Sequence, residues 1–373
     1  MKTPQTSGKQ TVDWASVRNV LILRIDHLGD LLLSTPLIRT LRQSLPGRRF
    51  VLVASPANQE ALLGWDGIDE IRLFDPKWSL RRKWQFARAL GREQWDLCLT
   101  LSPRTPAYLL GYLSGAPIRA GIIYSRRILA RLLSSLWLTH PVIVSVDEKL
   151  DENQPIPHEV MQLAGVAAAL GLADAEPGPL EIPLGLAELN WAEEWLQKQD
   201  PKFSASQSPT LIGIHGAGKW LSHGWTSNDF LQLVQKVLAG CKTAGHHSVK
   251  MLLTFGPGDR ELESSILQAL QQQPIPNLLL PGQLPVPRWA AMTSRCDLVI
   301  SPDTGSLHLA VAVGCPVVAL YEAASFLHCS TQWAPWQTPH AIVRRTAPAA
   351  TIPVLVAETL RLLGKNEAVN EPN

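Results

Sequence analysis

Two short polar strings, each placed directly after a buried apolar run, carry the side chains that can do chemistry in this chain. The first is Asp26-His27-Leu28-Gly29-Asp30, after the run Asn19–Ile25. The second is Asp303-Thr304-Gly305-Ser306, after Leu298–Ile300. A carboxylate at the mouth of a strand can take a proton from an attacking hydroxyl, and Asp30 stands at such a mouth. The same carboxylate can instead cap the helix that follows. Asp26 is a second candidate, as a helper or a plain loop residue. Asp303–Ser306 leads into Leu307–Val313, apolar at helical spacing. A helix N-terminus at the carboxyl end of a parallel strand attracts phosphate, so this turn is a candidate anion site.

Two further strings sit at the same kind of edge. Thr210–His215 runs into Gly216-Ala217-Gly218-Lys219, nearly a P-loop, but Trp220 occupies the place where a Ser or Thr would hold magnesium. A Gly-rich turn binding phosphate through backbone N–H groups remains, with Lys219 and His223 able to add positive charge. Val249–Phe255 runs into Gly256-Pro257-Gly258-Asp259-Arg260-Glu261. Glu261 can hold a sugar hydroxyl, or serve as a first-turn acid favoured by the helix dipole.

The elements that must position these strings alternate along the chain. Asn19–Ile25, Phe50–Ala54, Ile68–Phe74, Trp95–Leu101 and Ile118–Ile122 read as strands with helical stretches between them. Pro36 inside Leu31–Leu41 predicts an irregular or kinked first turn there. Arg126–Leu138 is amphipathic and basic, and His158–Leu170 is an Ala-rich helix ended by Gly171. Pro177, Gly178, Pro179 and Pro183 mark a linker near residue 180. After it come a helix Leu186–Gln199, strands at Thr210–His215, Val249–Phe255, Asn277–Leu280, Leu298–Ile300 and Val317–Leu320, and a last helix Thr351–Leu363, read as able to pack back across the junction. Strand–helix alternation in both halves predicts two doubly wound α/β domains. The expected division is a disordered tail 1–18, domains 19–180 and 181–350, and a C-terminal helix and tail 351–373.

Length and composition agree with that reading. At 373 residues, with 46% hydrophobic and 18% charged residues, the chain has material for two cores. No apolar run is long enough to span a bilayer, and Met1–Val17 lacks the apolar centre of a signal peptide. Five cysteines without close pairs point to reduced thiols in a cytoplasmic protein. The net charge is only +2, but Ile71–His140 holds twelve Lys or Arg against three Asp or Glu. Such a face suits an anionic partner, whether a phosphorylated lipid or a membrane surface, or is a solvated basic face. No nucleic-acid motif accompanies it.

The strings RIDHLGDLLLSTPLIRTL, LIGIHGAGK…W, FGPGDRE and SPDTGSLHLAVAVGCPVVALY, with His158-Glu159 at a helix start, together resemble the ADP-heptose:lipopolysaccharide heptosyltransferase family, glycosyltransferase family 9. The resemblance runs from about residue 19 to about residue 345. It implies a GT-B fold, two Rossmann-like domains facing across a cleft, the N-terminal one for the acceptor and the C-terminal one for the nucleotide-sugar. It implies inverting transfer of a heptose from ADP-heptose, or another nucleotide-sugar, to a phosphorylated glycolipid of the lipopolysaccharide core, with no metal required. Asp30 matches the family's base, and Thr304 and Gly305 match the residues that hold the donor diphosphate, with His308 one turn on. Gly216, Lys219, His223, Gly256, Glu261 and Asp303 fall on the donor side, Asp303 as a residue that caps and positions its turn. Arg126 and Arg127 are the acceptor-side candidates. The enzyme is expected in the cytoplasm, with peripheral contact to the inner membrane.

Two departures fall on the donor side: His223 where the family has Lys, and Glu322-Ala323-Ala324 where it has Gly-Pro-Thr. Three other readings stand beside the resemblance. Asp303-Thr304-Gly305 is also the aspartic-protease string, but such enzymes need two copies, and one is present. A non-catalytic sugar-binding homologue would lack Asp30 or the phosphate turn, and both are here. A transferase for another activated sugar keeps every residue above.

Overall fold

The computed structural model describes residues 12–125, 127–132, 134–144, 156–172, 176–204, 208–246, 248–256 and 258–370. The chain divides into two units, Met1–Pro183 and Leu184–Asn373.

In the first unit, apolar runs become β1 (Asn19–Arg24), β2 (Arg49–Ala54), β3 (Glu70–Leu73), β4 (Leu97–Thr100), β5 (Ile118–Tyr124) and β6 (His140–Val144). They form one parallel sheet in the order β3-β2-β1-β4-β5-β6. β1 lies centrally, with Leu21 opposite Val51 on one side and Cys98 on the other. Residues Val20–Leu23 are fully buried, as expected for a strand covered on both faces. The predicted irregularity near Pro36 is a break between helices Leu28–Leu32 and Thr35–Ser44. Pro36 sits in the first turn of the second helix, where its missing N–H leaves no bond unmade.

Order reaches further toward the N-terminus than the tail 1–18 allowed. Val17 is buried, and the Asp96 carboxylate accepts from the backbone N–H groups of Arg18 and Asn19, at 2.7 and 2.8 Å. The beginning of that tail, 1–11, lies outside the described residues.

The second unit holds β7 (Thr210–Gly216), β8 (Val249–Phe255), β9 (Leu278–Leu279), β10 (Leu298–Pro302), β11 (Val317–Glu322) and β12 (His340–Arg345). Its parallel sheet runs β12-β11-β10-β7-β8-β9, the strand order of the first unit read from the opposite edge. Its core packs β7, β8 and β10 against helix Ser227–Thr243 through Ile212, Ile214, Phe230, Val234, Met251 and Ile300. The last helix spans Pro348–Asn370 and lies on Ser227–Thr243 and β12, so it belongs to the second unit's own layer.

Both sheets have the doubly wound order, with the chain reversing direction between β1 and β4 and between β7 and β10. Loops that leave the carboxyl ends of those strands border a crevice where such sheets bind ligands.

Candidate functional site

The first unit's crevice is organised by Arg24, the last residue of β1. The side chain is 1% exposed and surrounded by acids: Asp26 at 3.5 Å, Glu159 at 3.6 Å and Asp30 at 3.8 Å. Its Nε donates to the Asp30 carbonyl at 2.9 Å, and Nη1 donates to the Leu101 carbonyl beyond β4. Nη2 has no hydrogen-bond partner among the described residues. Burial works against the guanidinium charge, but Asp26, Asp30 and Glu159 hold it more firmly protonated than usual. Burial likewise raises the Asp26 carboxyl above its ordinary range, with Arg24 opposing and Asp30 adding to the rise.

Asp30 takes the capping part open to it in the sequence and keeps its carboxylate at the strand mouth. Oδ2 accepts from the His27 backbone N–H at 3.2 Å, which caps the short helix, while the Arg24 guanidinium lies beside Oδ1. The side chain is 28% exposed, so a carboxylate oxygen faces solvent at the strand edge. Its loop is laced down: Ser34 Oγ donates to the Asp30 carbonyl, Ser55 Oγ to the Asp26 carbonyl, and Asn58 Nδ2 to the Arg24 carbonyl.

Glu159 opens helix Glu159–Ala169, where His158 is the cap and its Nδ1 accepts from the Val160 N–H. Reading the sequence left Arg24 and Glu159 out of the site. The signal was an arginine inside an apolar strand, which needs a buried counter-charge. Arg127 follows β5 and is exposed; its guanidinium donates to the Pro103 carbonyl and lies over the Tyr124 ring at 5.6 Å. Arg126 lies outside the described residues.

The second unit's crevice gathers the other candidates. Gly216 ends β7, and a Cβ there would lie 2.5 Å from the Phe255 ring, so only glycine permits this approach. Gly218–Gly224 then winds as a 3₁₀ turn. Its Lys219 Nζ donates to the Asp303 carbonyl and pairs with the Asp303 carboxylate at 3.1 Å, joining the loops after β7 and β10. The helix cap falls to Thr304 rather than Asp303, ahead of helix Gly305–Ala312. Thr304 Oγ1 and Ser306 Oγ share a hydrogen bond of 2.6 Å, and His308 is buried one turn on.

Gly256 opens the loop from β8, and a Cβ there would meet Asp259 Oδ2 at 2.8 Å; Asp259 Oδ1 accepts from the Gly218 N–H. Glu261 is exposed in the first turn of helix Arg260–Gln272. His223 lies in the 3₁₀ turn, and its side chain is outside what is described.

The departure at Glu322 has a structural partner. Arg345, buried at the end of β12, pairs with Glu322 Oε1 at 3.0 Å and donates to the Lys219 and Trp220 carbonyls. Its Cζ lies 4.9 Å over the Trp225 ring. One arginine thus fixes the turn that presents Lys219.

His215, inside β7, stacks on Trp289 with centroids 4.4 Å apart, and its Nδ1 meets Thr254 Oγ1 at 3.0 Å. Burial pushes this imidazole down to about 3. The unfolded chain takes up a proton near pH ~6.5 that the folded one refuses, so His215 favours folding above that pH and opposes it below. Stability is expected to fall by up to ~1.4 kcal/mol per pH unit on acidification below about 6.5, and His215→Gln to flatten that slope. Urea unfolding at a series of pH values measures it. Among the described residues, no group of three His, Cys, Asp or Glu is placed to hold a metal.

Comparison with known proteins bears on these two crevices. The sequence model of glycosyltransferase family 9 (heptosyltransferase) matches residues 83–352. The lipopolysaccharide core heptosyltransferase OpsX of Haemophilus influenzae is 21% identical over 305 residues, 82% of this chain and 79% of that protein. A glycosyl transferase family 9 structure from Veillonella parvula superposes with a TM-score of 0.74 at 20% identity, covering 96% of this chain and 100% of that one. The Escherichia coli ADP-heptose LPS heptosyltransferase II structure gives 0.68 at 18% identity, over 94% and 99%. The two parallel sheets here are therefore a GT-B fold.

Proposed function

The chain belongs to glycosyltransferase family 9, and from that membership we propose that it is a heptosyltransferase that uses ADP-heptose and inverts the anomeric carbon. The acceptor is a lipopolysaccharide core glycolipid. Asp30 takes the proton of the acceptor hydroxyl as its oxygen bonds to the anomeric carbon. The bond from that carbon to the diphosphate breaks, and ADP leaves with the electron pair. Negative charge grows on the departing diphosphate, and fixed N–H dipoles at the Thr304-Gly305 turn are suited to stabilise it.

The observation that carries the reading is Asp30 itself, held by the His27 N–H, flanked by Arg24 and still open to solvent. In the second unit, the Gly216–Lys219 and Asp303–Gly305 loops border one crevice, which supports the nucleotide side. His223, Gly256, Glu261 and His308 complete the proposed donor set, and Arg126 and Arg127 remain the proposed acceptor contacts. We place the reaction on the cytoplasmic side of the inner membrane.

Calorimetric titration with ADP, ADP-heptose, UDP and GDP tests the donor. Selective binding of the two adenine compounds, about tenfold or more over UDP and GDP, is the expected result. A preference for UDP or GDP would keep sugar transfer and remove heptose. That second reading has one observation behind it: Glu322, foreign to the family's pattern, is built into the donor-side turn through Arg345.

A further inference from the structure

A buried ion pair stands behind the turn Gly218–Gly224. β11 and β12 run parallel with Glu322 directly beside Arg345, so the last residues of the two strands meet. The Arg345 side chain is 1% exposed and that of Glu322 15%, so the pair is largely out of water. It lies at the sheet edge from which the Asp303–Gly305 turn also leaves, because β10 and β11 are parallel neighbours.

Arg345 directs its donors at the turn. Nη1 donates to the Glu322 carboxylate at 3.0 Å and to the Lys219 carbonyl, and Nη2 donates to the Trp220 carbonyl. Two successive carbonyls are thus fixed by one guanidinium, whose planar fork is rigid. Burial lowers this arginine's pKa from its ordinary value, and Glu322 acts against the fall. A buried guanidinium stripped of its acid is costly, so the carboxylate is what allows Arg345 to stand there.

Two tryptophans settle the rest of the turn. Trp220 is fully buried, with its ring centroid 5.8 Å from that of Trp225, and its indole N–H donates to the His215 carbonyl at 2.6 Å. The Trp225 indole N–H donates to the carbonyl of Thr346, next to Arg345, at 3.0 Å. With Trp220 anchored inward, the Lys219 side chain ahead of it is 38% exposed, and its ammonium reaches the Asp303 carbonyl and carboxylate. The charge therefore stands one residue from Thr304, the cap of helix Gly305–Ala312. Both donor-side departures read from the sequence fall on this one turn: His223 lies in it, and Glu322 braces it through Arg345.

We propose that Glu322 and Arg345 are a positioning pair for Lys219, holding its turn so that the ammonium meets the diphosphate of a nucleotide bound beside Thr304. Neither member touches the nucleotide; both act through the Lys219 and Trp220 carbonyls. This role rests on the nucleotide reading of the second crevice.

Calorimetric titration of the full chain with ADP and adenosine, and with UDP and uridine, separates what the diphosphate contributes from what the base contributes. Each nucleoside is paired with its own diphosphate, so a failure of the adenine reading leaves the comparison intact. Arg345→Met/Glu322→Gln removes both charges at once, which keeps the net charge and most of the buried volume. It is expected to weaken diphosphate binding about tenfold and to leave nucleoside binding unchanged. Lys219→Met should cause a loss of the same size, about tenfold. The triple variant should lose no more than either, because a pair that works through Lys219 then has nothing left to position. Losses that multiply in the triple variant overturn the proposal, as does an equal loss for nucleoside and diphosphate. A lower melting temperature with the diphosphate-to-nucleoside ratio unchanged overturns it too, since the pair would then only hold the fold. A wild type that binds neither diphosphate refutes the nucleotide reading, and this role with it.

Discussion

Asp30→Asn is expected to lower turnover by about a thousandfold, roughly 4 kcal/mol of transition-state stabilisation, while ADP affinity stays within about twofold. The amide oxygen of asparagine can still accept from the His27 N–H, so the cap of the short helix survives and only the basicity is removed. Asp30→Ala removes the cap as well, and comparing the two separates chemistry from structure. Single-turnover rates with saturating donor and acceptor are the measurement. A thousandfold loss in both, with unchanged thermal melting for the asparagine variant, is the expected pattern. Near-normal turnover in Asp30→Asn would end the general-base assignment.

Arg24→Met should cost the first unit about 3–5 kcal/mol, because it strands buried carboxylates that lose their shared counter-charge. The methionine fills most of the arginine's volume, so the loss measures charge more than packing. Its pH dependence follows from Asp26, whose carboxyl already sits above its usual range in the fold. A carboxyl raised in the folded state takes up its proton there before the unfolded chain does. It therefore favours folding at low pH and opposes it once pH rises past the folded value. Removing Arg24 takes away an interaction that lowers this pKa, so the variant's deficit should be larger near pH 7 than near pH 5. Urea unfolding at both pH values reads it. A deficit that does not change with pH would mean that the cluster acts through packing alone.

Strands covered on both faces were legible because burial writes itself as an unbroken apolar run, as in NVLILR and VKMLLTF. The edge strands β6 and β12 were not. HPVIV carries a proline and HAIVRR alternates exposed with buried side chains, so neither makes such a run. The positions of Asp30, Lys219 and Thr304 at strand ends followed from local order alone. Their partners did not: Arg24 meets Glu159 across most of the first unit, and Lys219 meets Asp303 across the second. A one-dimensional pattern shows that a buried arginine needs an acid, but not which one. Lys219 read as spare positive charge, and the fold engages it with Asp303.

Each of the two sheets fastens its own crevice from within. Arg24 reaches from the end of β1 to the carbonyl beyond β4, and Lys219 reaches from the loop after β7 to the one after β10. The polar groups that shape either crevice are thus encoded in one half of the gene. Loops can drift in one half while the other keeps its shape, so the recognition of one substrate can change over generations without retraining the recognition of the other. A duplicated strand order with internally fastened edges is in this sense a modular inheritance, in which new pairings of sugar and acceptor arise by altering one half at a time.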